Sequence, residues 1–387
     1  NIFWIPRFCT LVMTIILALC GNPSLATTDP YSDHPYQPLA DVPDVPKTPH
    51  IALILPLESP SFGSAANRVK EGFTAATMRE EQLPLMIRIY ATGDDPLDIL
   101  LTYLEALSAG AEFVVGPLTR DGVAAIASSQ LITVPTLALN TVDHAAAIPT
   151  KLFLFGLQME TEASQIAQLA QVTGRKQALV IGDDSSLSKR LQAAFRDRWQ
   201  QEGGAVTFTT FSNNSQQLET LRKLNDNNNQ LVFLALSADK ARITRPYIPA
   251  DVPVYATSQI YTTDNNTLLN NDLNGIRFVD MPWLLQPDHL AVMAYSPDHT
   301  AQGTDMERLY ALGIDAFRLM THLLDPLFVS EISFDGVTGY VRAAPGNLFT
   351  REPVAAHFEQ GKVQLLNASH VTAPTPLSLP SESEIKP

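Results

Sequence analysis

The chain has 387 residues, 45% hydrophobic and 17% charged, with a formal charge of −14. That length and apolar content are ample for one or two buried cores, so the protein is globular. An acidic surface of this size repels nucleic acid and anionic lipid, and no Lys/Arg cluster is apparent against it. Partners are expected to be neutral, cationic or locally complementary, with nucleic acid excluded.

The first element is the apolar run from Phe8 to Leu19, preceded by Arg7 as its only charge. It is shorter than the ~20 apolar residues of a spanning helix and reads as an export leader. The stretch "ILALCGNPSLATT", residues 16–28, then carries two signals. Cys20 after the apolar run is a candidate lipid attachment site of a bacterial lipoprotein, whereas "SLA" before Thr27 has the small-x-small form read by ordinary signal peptidase. Leu19 stands where the lipoprotein signal wants a small residue, which favours a signal peptide of residues 1–26 cut after Ala26. Both cysteines, Cys9 and Cys20, lie in this leader, so the cut chain has no disulfide, Cys zinc site or thiol catalyst. Residues 27–48 form a Pro-rich linker of extended character, and residues 371–387 a similar, disordered tail.

Between linker and tail, short apolar runs alternate with segments of helical period, as in parallel strands joined by crossover helices. "HIALILPL" predicts a strand, Ala65 to Glu80 a helix, "LMIRIYAT" a strand and "DDPLDILLTYLEALSAG" a helix. "AEFVVGPL", "TRDGVAAIASSQ" and "VPTLALN" continue the series as strand, helix and strand. A second series starts at "KQALVIGDD" and runs through "SLSKRLQAAFRDRWQQEGG", "AVTFTTF", a helix from Gln216 to Leu224, "LVFLALS", a helix at Ala238 and "VPVYATS". "GIRFVDMPW", a long helix "DMERLYALGIDAFRLMTHLL", and strands in "FDGVTGYVRA" and "VAAHFEQGKVQLL" follow. The fold class is α/β: two doubly wound, Rossmann-like lobes with a central cleft.

Open α/β sheets bind ligands beyond the carboxyl ends of their strands. Those ends carry Ser61; Gly116, for close backbone approach; Pro117, for a fixed turn; and Thr119, as a helix cap with a free hydroxyl. Asn140 ends "TLALN", Asp183 lies in an Asp pair before a helix, and Tyr255, Ser258 and Tyr261 add aromatic and polar groups. The pairs Asp94-Asp95 and Asp183-Asp184 fit helix capping better than acid–base chemistry. "MPWLL" around Trp283 fits hinge packing better than a partner anchor. The chain has no G-x-G-x-x-G, Walker loop, G-x-S-x-G or H-E-x-x-H. Its eight histidines are scattered without ligand spacing, so no catalytic residue, metal site or cofactor is expected.

The segments "HIALILPL", "VKEGFTAA", "FVVGPLTRDGVAAIA", "VPTLALN", "GIRFVDMPWLL", "RLYALGIDAFRLM" and "FDGVTGYVR" resemble, in order and spacing, the C-terminal domain of the penicillin-binding protein activator family, the LppC or LpoA lipoproteins. The resemblance covers about residues 49–366. More distantly, the chain resembles the type I periplasmic binding proteins of the leucine-binding kind. It implies a domain over residues 49–370, crossing between lobes near Gly156 to Gln158, Asp280 to Trp283 and Asp335 to Val341. Lobe one would be 49–157 plus 281–334 and lobe two 158–280 plus 335–370, with Gln158 another cleft candidate. The family likeness implies a noncatalytic envelope protein that binds a bifunctional penicillin-binding protein, a peptidoglycan synthase, from the outer-membrane side, anchored there if Cys20 is lipidated. Enteric members carry a large helical-repeat domain ahead of this one, and any activity using that domain is expected to be absent here. The alternative is a periplasmic solute-binding protein for an amino acid or similar small ligand. Leucine-type binders follow the third strand with a Ser/Thr run, where this chain has Pro117, Leu118 and only Thr119.

Overall fold

The run His50–Leu55 is buried at every position, as a central parallel strand requires, and forms β1. In the computed structural model, which describes residues 47–80, 83–142, 147–224, 229–263, 266–295, 303–324, 329 and 331–366, it is followed by α1 (Gly63–Thr77), β2 (Met86–Ala91), α2 (Pro96–Ser108), β3 (Ala111–Val115), α3 (Arg120–Ser128), β4 (Thr136–Ala138) and β5 (Leu152–Leu154). Next come α4 (Met159–Gln171), β6 (Gln177–Gly182), α5 (Ser186–Gln201), β7 (Ala205–Thr210), α6 (Ser215–Arg222), β8 (Gln230–Ala235), α7 (Ala238–Thr244), β9 (Val254–Ala256), α8 (Thr267–Asn270) and β10 (Ile276–Asp280). The chain ends its described part with α9 (Pro282–Leu285), α10 (Leu290–Met293), α11 (Thr304–Leu323), β11 (Ser333–Asp335), β12 (Tyr340–Ala344), β13 (Leu348–Glu352), β14 (Val354–Glu359) and β15 (Lys362–Leu365). The expected leader with Cys20 and the tail from Val371 lie outside the described residues, as does all of the linker but Lys47 and Thr48.

Two sheets result, in the orders β11-β12-β13-β5-β4-β3-β1-β2 and β15-β14-β10-β9-β8-β6-β7. In the first, α1 and α11 cover Ile51, Leu53 and Leu55, while α2 and α3 cover Ala52, Ile54 and Val114 on the opposite face. In the second, α4 and α5 cover Val180, Phe233 and Tyr255, and α6 and α7 cover Val232, Leu234 and Val254. Odd and even residues of each strand thus face different helical layers, the period-two rule applied to a sheet buried on both sides.

The chain crosses between lobes from β5 to α4, from β10 through Met281 to α9, and from β13 through Pro353 to β14. The third crossing corrects the expectation of Asp335 to Val341. The β11–β12 hairpin and β13 stay in the first sheet, so that lobe extends to Glu352. Asp315 on α11 fastens the hairpin there, its buried carboxylate accepting from Val337 N at 3.1 Å, Thr338 N at 2.7 Å and Thr338 Oγ1 at 2.6 Å. Pro353 has no N–H to donate to a ladder, which suits it to the switch between sheets.

Two glycines let α1 and α11 meet backbone to backbone. A Cβ on Gly313 would stand 2.1 Å from Val69 O, and one on Gly72 would stand 1.9 Å from Tyr310 O. Gly313→Val is therefore expected to part the helices and lower stability by about 3 kcal/mol, at the upper end of overpacking costs. Urea unfolding followed by tryptophan fluorescence measures it, and a loss under about 0.5 kcal/mol would contradict the close crossing.

Candidate functional site

The strand ends of lobe one are organised by internal bonds. Gly116 has φ +107, and a Cβ there would lie 2.0 Å from Ile54 O, so the residue allows the close approach expected of it. Pro117 is buried, and its carbonyl accepts from Leu139 N at 2.9 Å. Thr119 caps α3 by accepting from Gly122 N at 3.3 Å. Asn140 ties the two turns together, donating through Nδ2 to Leu118 O at 3.0 Å and accepting Thr141 N at 3.0 Å. Ser61 is exposed, and it is Ser59 Oγ that accepts from Ser61 N and Phe62 N at the start of α1.

In lobe two, Asp183 is not the helix cap. Ser185 caps α5, while Asp183 accepts Ser185 N at 2.9 Å and pairs with Lys240 Nζ at 2.5 Å. Burial raises its pKa, but the donors of Lys240 and Ser185 outweigh that and hold the carboxyl below its ordinary value. In lobe one, by contrast, Asp95 caps α2. Tyr255 does not reach a strand-end turn. It lies mid-strand on β9 with its side chain under α4 and α5, and its hydroxyl accepts from Arg277 Nη1 at 3.1 Å. Ser258 is fully buried, and Tyr261 stacks on Phe278 with ring centroids 5.8 Å apart.

The hinge holds what single-residue reading missed. Arg308 on α11 spans to lobe two, bonding Asp280 Oδ2 at 2.6 Å, Ser258 O at 2.9 Å and Tyr261 O at 3.2 Å. Arg351 on β13 spans in the same sense to Glu162 on α4 at 2.6 Å, and Glu162 also accepts Ser258 N at 3.1 Å. All four charged side chains are at most 6% exposed. Burial favours a neutral guanidine, yet Asp280, Asp305 and Glu162 outweigh it and hold Arg308 above its ordinary pKa. Behind them Glu307 accepts from Arg68 at 2.7 Å and from Trp283 Nε1 at 3.0 Å, which makes the buried "MPWLL" segment part of the hinge packing. Asp280 and Glu162 each face a guanidinium of lobe one, which joins the lobes, while Glu307 faces Arg68 within lobe one.

Beside the hinge lies a groove of ≈ 780 Å³ lined by both lobes. Glu160 of α4 bridges it, bonding Arg120 of lobe one at 2.7 Å and Arg190 of α5 at 2.6 Å. Of the expected cleft residues, Gln158 lines this groove, and Tyr261 lines a smaller one of ≈ 370 Å³ beside α8 and β15. Neither groove has Ser61, Gly116, Pro117, Thr119, Asn140, Asp183, Tyr255 or Ser258 in its lining. Among the described residues no three His, Cys, Asp or Glu gather to hold a metal, and no helix is long and apolar enough to cross a membrane.

Two parallel-dominated lobes joined by three crossings define a mixed α/β protein of the type I periplasmic-binding-protein class. Residues 39–361 match the family model described as "LppC putative lipoprotein", and the chain belongs to the LppC family. Among curated relatives, the penicillin-binding protein activator LpoA of Photobacterium profundum is 26% identical over 332 residues, which cover 76% of this chain and 53% of that protein. The chain thus spans about half the length of the curated relatives it matches. The solved LpoA C-domain of Haemophilus influenzae, "a regulator of PBP1A", is 22% identical with a TM-score of 0.71, covering 82% of this chain and 100% of that one. A "putative branched-chain amino acid ABC transporter" structure from Chromobacterium violaceum is 36% identical with a TM-score of 0.68, covering 81% of this chain and 100% of that one.

Arg308→Met strands the Asp280 carboxylate in a dry site and is expected to cost about 3–5 kcal/mol in urea unfolding. A loss below about 1 kcal/mol would show that water reaches the hinge. The Glu160 bridge is weaker because its partners are more than a third exposed. Burial raises the Glu160 pKa, but its own backbone N–H, Arg190 and Arg120 outweigh this and lower it. Its stabilisation is therefore complete above the ordinary Glu pKa and disappears as pH falls through the lowered folded value. Glu160→Gln should cost about 0.5–1 kcal/mol at neutral pH and nothing near pH 2, read from thermal melts at both. An equal cost at both pH values would refute the ion-pair account.

Proposed function

We propose that this chain is a noncatalytic, exported envelope protein that binds a bifunctional penicillin-binding protein and stimulates peptidoglycan synthesis. The observation that carries this reading is the pair of buried ion contacts, Arg308–Asp280 and Arg351–Glu162, that sew one lobe to the other at the hinge. Separating the lobes there must part both pairs, so the arrangement suits a module that presents a fixed surface better than one that works by opening and closing. Membership of the LppC family and relatives named as activators support the same reading. A lipid on Cys20 belongs to this proposal, because a tether at the outer membrane would set the reach toward a synthase on the opposite membrane.

A second reading, capture of an amino acid or similar solute, is favoured by the 36% identity to the Chromobacterium protein over that chain's whole length. The turn that would hold a carboxylate argues against it. Leu118 is buried there, its carbonyl occupied by Asn140, and Thr119 is engaged as a cap.

One pair of measurements separates the two. The chain, immobilised, should retain the bifunctional synthase of its own species at micromolar concentration, and failure to do so would sink the regulator reading. A native-state ligand at ~100 times its dissociation constant adds about 2.7 kcal/mol, so an amino-acid and metabolite library should leave the melting temperature unmoved if the chain is no solute binder.

A further inference from the structure

The impression that no basic cluster opposes the acidic surface does not survive folding. Along α5, Lys189, Arg190, Arg196 and Arg198 stand against a single acid, Asp197. Arg190 and Arg198 line the ≈ 780 Å³ groove, and Arg120 joins them from lobe one. In a chain of formal charge −14, this is a local concentration of guanidinium groups inside a concave site. Three lining guanidiniums stand against two lining carboxylates, Glu160 and Asp197. Glu160 is shared by two arginines, and Arg198 meets Glu202 at the solvent-exposed end of its helix.

Two further observations give the groove an appetite for acceptors. Gln158 Nε2 and Arg198 Nε, both on lining residues, are buried N–H groups with no hydrogen-bond partner. A buried donor left unpaired is costly, and an incoming carbonyl or carboxylate oxygen relieves that cost. The wall also has an apolar part, Val142, Ile148, Leu154 and Leu348 from lobe one, beside polar Thr161, Ser164, Asp197 and Gln201 from lobe two. Guanidinium groups bind carboxylates through paired N–H donors, and a groove of this volume takes only a short segment.

The geometry points to this groove as a binding site for a short, acidic stretch of polypeptide, its carboxylates against Arg190, Arg198 and Arg120 and its apolar side chains against Val142, Ile148 and Leu348. The groove's volume admits a short segment rather than a long polyanion or a bilayer. The assignment does not rest on the synthase reading. The peptide test below needs no synthase, and a chain that failed to retain one would still bind the peptide.

The probe is a fluorescein-labelled hexapeptide alternating Glu and Leu, titrated with the whole chain and read by anisotropy. Saturable binding is expected, weakened at least about tenfold by Arg198→Ala and by Arg190→Ala, and weakened by raising salt from about 50 to about 300 mM. Ala193→Trp, which fills the groove without touching its charge, should abolish binding, whereas Lys189→Ala, on an exposed position of the same helix, should leave affinity within about twofold. If Arg190→Ala loosens the fold by releasing Glu160, Arg198→Ala and Ala193→Trp still decide the question. The proposal is overturned by no saturation at millimolar chain, by equal affinity for a Lys–Leu hexapeptide, or by affinity unchanged in Arg198→Ala and Ala193→Trp. Binding to phosphatidylglycerol vesicles that the peptide fails to displace would overturn it equally, by assigning the basic face to lipid.

Discussion

An ionised carboxylate buried without a counter-charge costs several kcal/mol, so Asp280 and Glu162 dictate where Arg308 and Arg351 must stand. The four residues come from β10, α4, α11 and β13, and each pair takes its acid from lobe two and its base from lobe one. Their neighbours follow from them. Ser258 offers its carbonyl to one arginine and its N–H to the acid of the other pair, which makes the turn after β9 the link between the two. Glu307, Arg68 and Trp283 continue the same network into the core under α1 and α11.

The contrast with Glu160 shows how burial grades interactions of similar length. Arg120–Glu160 and Arg308–Asp280 are 2.7 Å and 2.6 Å contacts that both join lobes, but the first is open to water and salt and the second is dry. The exposed bridge therefore sets how the groove is lined while contributing little to stability. The buried pairs contribute mainly through what is lost when one partner is removed.

Periodicity made most of the fold legible, because strands buried on both faces must read as apolar runs and crossover helices must show one apolar face. It failed where elements are short or placed by tertiary contact. β5 is three residues long, and β13, "LFTRE", is neither a clean run nor a clean alternation. Without β13 the hairpin before it had no visible place in the first sheet, and the crossing implied by the family likeness at Asp335 to Val341 falls before the one at Pro353. Among the cleft candidates, local turn chemistry matched the close approach at Gly116 and the cap at Thr119, but not the link from Asn140 to Leu118. Nor did turn chemistry place Tyr255, since its strand parity sends it under α4 and α5. Arg308 and Arg351 escaped notice, and Asp280 was read only as the start of a crossing, although each is a charge set in or at the edge of an apolar segment, the one signal that could have exposed the pairs. Their partners lie 28 and 189 positions away, and spacing of that kind has no local pattern.

The crossing at Pro353 also governs the order in which the molecule can be finished. β13 and β14 are separated by one residue yet complete different sheets, and both follow nearly everything else in the chain. As the polypeptide emerges from its N-terminal end, β5 waits as an open edge until Leu348 arrives to pair with Leu154. The stretch from Ser333 to Leu365 supplies the last strands of both sheets, those of lobe one ending at Glu352 and those of lobe two following it. Contacts of such separation are slow to form and leave strand edges exposed meanwhile. The same thirty-odd residues that carry Arg351 to the hinge therefore also close the strand edges of both sheets.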